Sequence, residues 1–145
     1  MSKIQVIYGS ETGNAQEFAE EIADHFKVEA IEGDEMNVSD LPEVENLIVV
    51  CSTGGAGELP ANIEKFYQDL GDLKPDLSNV NLAVFGLGSS VYDDFNVGCK
   101  LVQKRLIELG AKPLDFSVSN LGDDEDADGY RTKAEPWFAQ LKSKI

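Results

Sequence analysis

Residues 3–16 read KIQVIYGSETGNAQ, and the order of residue types in this stretch sets the architecture. KIQVIY is a short β-forming run, and GSETG is a turn of glycines and small polar residues. From residue 13 to 26, Ala15, Phe18, Ala19, Ile22, Ala23 and Phe26 recur at helical spacing on one face. Strand, glycine turn and helix are the opening of a parallel crossover unit, because parallel neighbours need a long connection, usually a helix.

The pattern recurs along the chain. A short second strand is expected at 28–31, followed by an irregular stretch containing NVSDLPEVE, where Pro42 and the polar residues argue against a long helix. NLIVVCS (46–52) is a continuous apolar run, as in a strand buried on both faces. After the loop GGAGELP, Ile63, Phe66, Tyr67 and Leu70 mark a helix face; NLAVFGLG (81–88) is a fourth strand. A third helix from about Asp94 presents Phe95, Cys99, Val102, Leu106 and Leu109, with Gly110 placed to stop it. KPLDFSVS (112–119) is a fifth strand, the acidic run 123–128 a loop, and Ala134, Trp137, Phe138, Leu141 and Ile145 a last helix. Alternating strands and helices imply a parallel sheet covered on both faces, with ligands at the carboxyl ends of the strands. The informative loops are those after the first, third and fourth strands.

Composition narrows the function classes. With 145 residues and 42% hydrophobic content, the sequence is expected to form a single domain spanning 1–145 around one substantial core. Twelve Lys and Arg against 27 Asp and Glu give a formal net charge of -15, which argues against non-specific nucleic-acid binding and favours basic protein partners. The N-terminal apolar run is far below the roughly 18 residues of a membrane span and lacks a signal-peptide pattern. Cys51 and Cys99 form no CxxC pair. Reduced thiols and a cytoplasmic location are therefore the expectation.

The loop after the first strand has the makings of an anion site without a cation. Backbone N–H groups at a helix start lack intrahelical partners, and Ser10, Thr12 and Asn14 add neutral donors. Hydrogen bonds to a charged group contribute about 1.5–3 kcal/mol each, whereas carboxylates more than about 8 Å away are largely screened at physiological salt. Contact donors therefore outweigh distant repulsion. GxxxxGK[ST] and GxGxxG are both absent. Taken alone, the stretch is also compatible with an ordinary capped strand-to-helix turn.

CSTGGAGELPAN (51–62) carries three glycines within four positions, a backbone able to approach a flat ring closely; a plain glycine-rich connection is the alternative. GLGSSVYDDFN (86–96) brings Tyr92 beside small residues, where it could lie flat on an aromatic ligand, while Phe95 fits the core face of the next helix. GxSxG is absent, and the single histidine, His25, falls on the polar side of the first helix. The acidic run lacks the EF-hand pattern. Neither a nucleophile nor a metal site emerges.

Taken together, SETGNA, STGGAGELPAN and FGLGSSVYDDFN, each after its strand, make the sequence resemble the flavodoxin family. The likeness is greatest to its short-chain members of the MioC type and to the FMN domains of diflavin reductases. ELGAKPL and NLGDDEDADGY resemble the end of that domain, and AKPLDFSVSN lacks the insertion that splits the fifth strand in long-chain members. The resemblance implies a flavodoxin-like three-layer α/β/α sandwich with a five-stranded parallel sheet of order 2-1-3-4-5. It also implies FMN as cofactor and low-potential, one-electron transfer between a basic-surfaced NAD(P)H-dependent reductase and acceptor enzymes, by a monomer in transient complexes.

By position, Ser10, Glu11 (through its backbone), Thr12, Gly13, Asn14 and Ala15 would surround the FMN phosphate. Ser52, Thr53, Gly54, Gly55 and Gly57 would line one side of the ring. Gly86, Leu87, Gly88, Ser89, Tyr92, Phe95 and Asn96 would line the other, with Asp123 near the flavin. Gly54 departs from the family, many of whose members carry a bulky side chain there. The resemblance also leaves room for a flavoenzyme with its own substrate, or for a non-redox module on the same fold.

Overall fold

β1 (Ile4–Gly9), β2 (Ala30–Glu32), β3 (Asn46–Ser52), β4 (Asn81–Leu87) and β5 (Lys112–Pro113) pair in the order β2-β1-β3-β4-β5, each neighbour parallel to the next. This arrangement comes from a computed structural model that describes residues 4–9, 14–52, 61–87, 97–113 and 131–144. The helices are α1 (Asn14–Phe26), α2 (Ala61–Leu73), α3 (Val97–Glu108) and α4 (Arg131–Lys144). Sheet order and class are those expected from the sequence.

The period-two alternation of strand side chains divides the core into two layers. On one face Ile7, Val49 and Val84 pack with Phe66 and Leu70 of α2 and with Val102 and Leu106 of α3. On the other, Val6, Val50 and Phe85 pack with Phe18 and Ile22 of α1 and with Leu141 of α4. Phe18 sits edge-on to Phe85 (centroids 5.1 Å apart) and to Phe138 (6.0 Å), which ties α1, the sheet and α4 together. Full burial of each such side chain contributes about 1.5–3 kcal/mol. His25 is exposed as expected, yet its ring lies 5.6 Å from that of Phe138.

The structure shifts one element of the sequence expectation and adds detail to another. The second strand is Ala30–Glu32 and not 28–31, because α1 is closed by Lys27 in the left-handed region (φ 59°), with Val28 N–H donating to Ala23 O at 3.0 Å. The irregular stretch holds two 3-10 turns, Gly33–Glu35 and Val38–Glu43, the second capped by the Asn37 side chain accepting from Ser39 N–H. Val38, Leu41 and Val44 are buried at intervals of three, the repeat of a 3-10 turn. Described residues of the third helix begin at Val97; its expected start at Asp94 and Phe95, the fifth strand beyond Pro113 and the acidic run 123–128 lie outside the described residues.

Gly110 stops α3 as expected. Its φ is +112°, with Gly110 N–H donating to Ile107 O and Ala111 N–H to Leu106 O. At the strand starts, Asn81 Nδ2 donates to Asn46 Oδ1 at 3.3 Å across the β3–β4 pair, and Asn46 is buried. This polar pair fixes the amino end of the sheet, opposite the candidate loops.

Candidate functional site

Register decides which loops meet. Gly9 pairs with Cys51 and Cys51 with Gly86, while Ser52 pairs with Leu87. β1, β3 and β4 therefore end level at one edge, next to one another in the middle of the sheet. The stretches 10–13, 53–60 and 88–96 all leave from that edge. The order β2-β1-β3 also places the switch point of a doubly wound sheet between β1 and β3.

Of the residues singled out in the sequence, Asn14 opens α1 and Ala15 is fully buried in its first turn. Ala15 can thus offer its backbone N–H, one of the group without an intrahelical partner, and not its methyl. Ser52 closes β3, and Gly86 and Leu87 close β4. Ser10, Glu11, Thr12, Gly13, Thr53, Gly54, Gly55, Gly57, Gly88, Ser89, Tyr92, Phe95, Asn96 and Asp123 lie outside the described residues.

One residue that holds this edge was read from the sequence only as part of a buried helix face. Ile63, in the first turn of α2, is fully buried and packs on the last residue of β1. A Cβ on Gly9 would lie 2.6 Å from its Cγ2, and one on Gly33 would lie 2.5 Å from its Cγ1. The two glycines let α2 approach the point where the first loop departs. The Asp34 carboxylate accepts from Lys65 N–H at 3.1 Å, a favourable place for an anion near a helix start. Cys51, in the middle rung of this edge, keeps a buried thiol.

The local field is negative. Tyr8, 7% exposed on β1, has its phenol pushed above the usual pKa of 10.0, first by burial and then by the carboxylates of Glu32, Glu20 and Glu35. Among the described residues there is no grouping of His, Cys, Asp and Glu suited to a metal ion, and no helix is long and apolar enough to cross a membrane.

A parallel, doubly wound α/β sheet whose strands β1, β3 and β4 end level at one edge belongs to the open-sheet class, in which ligands bind at the carboxyl ends of the strands. The flavodoxin family model matches residues 6–137, and the chain belongs to the flavodoxin family.

Among solved structures, the chain is similar to a cysteine-to-alanine mutant of flavodoxin from Pseudomonas aeruginosa, at 30% identity and a TM-score of 0.79 over 97% of each chain. It is also similar to oxidised flavodoxin 1 from Bacillus cereus, at 28% identity and a TM-score of 0.70 over 96% of this chain and 98% of that one. Among curated proteins it is 36% identical to NADPH-dependent diflavin oxidoreductase 1 of Debaryomyces hansenii, over all of this chain and 26% of that protein. It is 41% identical to human NADPH–cytochrome P450 reductase, over 84% of this chain and 19% of that protein. The chain thus spans about a quarter or less of the length of these curated relatives.

Proposed function

We propose that the chain binds FMN at the carboxyl edge of its sheet and carries single electrons at low potential between a reductase and acceptor proteins. The observation that supports this most directly is the rung Gly9–Cys51–Gly86, which brings the exits of β1, β3 and β4 side by side. The donor chemistry fits the group. The first turn of α1 offers backbone N–H groups, and the adjoining sequence supplies the hydroxyls of Ser10 and Thr12, neutral partners for a phosphate that serves as a handle.

In this reading Ser10, Glu11, Thr12, Gly13, Asn14 and Ala15 hold the phosphate. Ser52, Thr53, Gly54, Gly55 and Gly57 flank one side of the ring; Gly86, Leu87, Gly88, Ser89, Tyr92, Phe95 and Asn96 flank the other, with Asp123 nearby. FMN, when bound, supplies the redox chemistry. The protein's part is placement and field: a net charge of -15 disfavours further negative charge at the site and steers basic-surfaced partners toward it. Relatives named for NADPH-dependent reduction support a reductase as the electron source, whether a separate protein or another domain.

The test is a visible spectrum of the purified protein titrated with FMN, followed by anaerobic reduction with limiting reductant. Perturbed flavin bands and uptake of electrons one at a time are expected. Rapid NADPH oxidation by the FMN-loaded chain alone would replace the carrier reading with that of a self-sufficient flavoenzyme. No binding at micromolar FMN would point to a non-redox module.

A further inference from the structure

The charge of this chain is lopsided, and the sheet order turns that imbalance into a surface. Residues 4–52 hold twelve Asp and Glu and a single basic residue, Lys27, whereas residues 53–145 hold fifteen acidic against ten basic residues. Because β2 and β1 stand at one end of the order β2-β1-β3-β4-β5, acidic residues of α1, β2 and the two 3-10 turns are gathered at the β2 end.

β2 has β1 on one side and, among the described residues, no strand on the other. An edge strand directs backbone N–H and C=O groups outward, a template for another extended chain. A groove of about 520 Å³ runs along one side of this edge, lined by Glu17, Glu20, Glu21, Asp24 and Glu29 over Val28 and Ala30. A second, of about 380 Å³, lies by Ile31 and Met36 and is lined by Glu35, Asp40 and Glu43. Neither groove has a basic residue in its lining. The same field reaches Tyr8, beneath the edge on β1.

We propose that the outer edge of β2 is a docking edge for an extended, Lys/Arg-rich segment of a partner protein, which adds as a strand beside β2 and lays its basic side chains into the two grooves. The charge selects this occupant. A second copy of the chain would bring its own acidic edge against this one, whereas alternate side chains of an added basic strand fall one groove at a time. With only three residues in β2, pairing supplies few hydrogen bonds. Binding should therefore be weak without the carboxylates and steeply salt-dependent with them. No residue lining either groove is among those assigned to FMN, and the two sites are expected to be occupied together.

The test uses the isotope-labelled full chain, with and without FMN, titrated with a short peptide whose central residues are consecutive lysines, so that alternate lysines face the two grooves. Amide shifts are expected to concentrate on residues 28–32 and the facing turns of α1, with slowed hydrogen exchange in β2. The same peptide N-methylated at alternate residues keeps its charge but cannot pair, and should bind about tenfold more weakly, the equivalent of one or two hydrogen bonds. Combined Glu20→Gln, Asp24→Asn and Glu29→Gln substitutions should cost about tenfold in affinity while leaving the urea midpoint and the FMN titration in place. Equal binding of the methylated peptide, shifts confined to the loop edge, or self-association of the chain through β2 would each overturn the proposal.

Discussion

Ile63 fills the space beside Gly9 that any larger residue would need: a Cβ there would lie 2.6 Å from Ile63 Cγ2 and 2.7 Å from its Cβ. On its other side Ile63 stands equally close to Gly33, where the contact is to Cγ1 at 2.5 Å, with Cβ and Cα both at 3.1 Å. One side chain thus locks α2 to the end of β1 and to the turn after β2. Gly9→Ala and Gly33→Ala should each destabilise the fold by about 1–3 kcal/mol through overpacking. Shortening Ile63 to Ala removes Cγ1 but leaves Cβ, so Ile63→Ala should offset Gly33→Ala substantially and Gly9→Ala only slightly. Urea unfolding of the two double-mutant cycles measures the difference; equal rescue would mean the backbone yields instead.

Arg105 binds α3 to α2 by two means. Its guanidinium carbon lies 3.9 Å from the centroid of the Tyr67 ring, and its Nη1 donates to Tyr67 O at 3.0 Å. Gly71 leaves room for it, since a Cβ there would stand 2.8 Å from Nη1. Lys lacks the planar fork that stacks and donates together. Arg105→Lys should therefore cost about 1 kcal/mol in urea unfolding. Tyr67→Leu should remove most of the difference between Arg and Lys at position 105.

Lys27 occupies the left-handed region at the end of α1, with φ of 59°. Its N–H donates to Asp24 O at 3.2 Å while Val28 N–H reaches Ala23 O. Glycine adopts this conformation without the cost a side chain carries, so Lys27→Gly should relieve about 1 kcal/mol. The same change removes the one basic residue between positions 4 and 52. The gain should thus be largest at high salt and shrink at low salt, which thermal unfolding at two ionic strengths would register.

These positions mark where sequence reading worked and where it did not. NLIVVCS and NLAVFGLG declared themselves as buried strands because both faces of the sheet are covered, and the spacing of Phe18 and Ile22 or of Phe66 and Leu70 left one helix face to bury. Gly110 was legible as a stop because glycine is the usual residue at a positive φ. Lys27 and Lys74, which end α1 and α2 in the same conformation, carry no such mark. The three-residue spacing of Val38, Leu41 and Val44 was a readable signal for 3-10 structure, masked by Pro42 in the middle of it. Ile63 read only as a core residue, since contact with Gly9 and Gly33, distant in sequence, arises from the sheet order.

Gly54 bears on cofactor retention. If position 54 covers one ring face in relatives with a bulky side chain, glycine forfeits about 0.5–1.5 kcal/mol of ring contact. Titration of the apoprotein should then give weaker FMN binding than in a flavodoxin with two aromatic ring contacts, and Gly54→Tyr should tighten it. A dissociation constant already in the low nanomolar range would show that the face is closed by other means.

Tyr8 sets an alkaline limit. Burial first, and then Glu32, Glu20 and Glu35, raise its pKa in the folded state above the ordinary 10.0 of the unfolded chain. The folded protein holds the phenolic proton more tightly than the unfolded one. Its stabilising contribution is therefore complete below pH 10.0 and is lost as pH rises toward the folded-state value. Stability measured by urea unfolding should fall above that pH, and Tyr8→Phe, which has no proton to lose, should flatten the fall. Replacing Glu20 and Glu35 with Gln should move the tyrosinate absorbance transition of Tyr8 downward, though not fully back to the ordinary value, because burial is the larger cause. A transition unmoved by these substitutions would assign the shift to burial and Glu32.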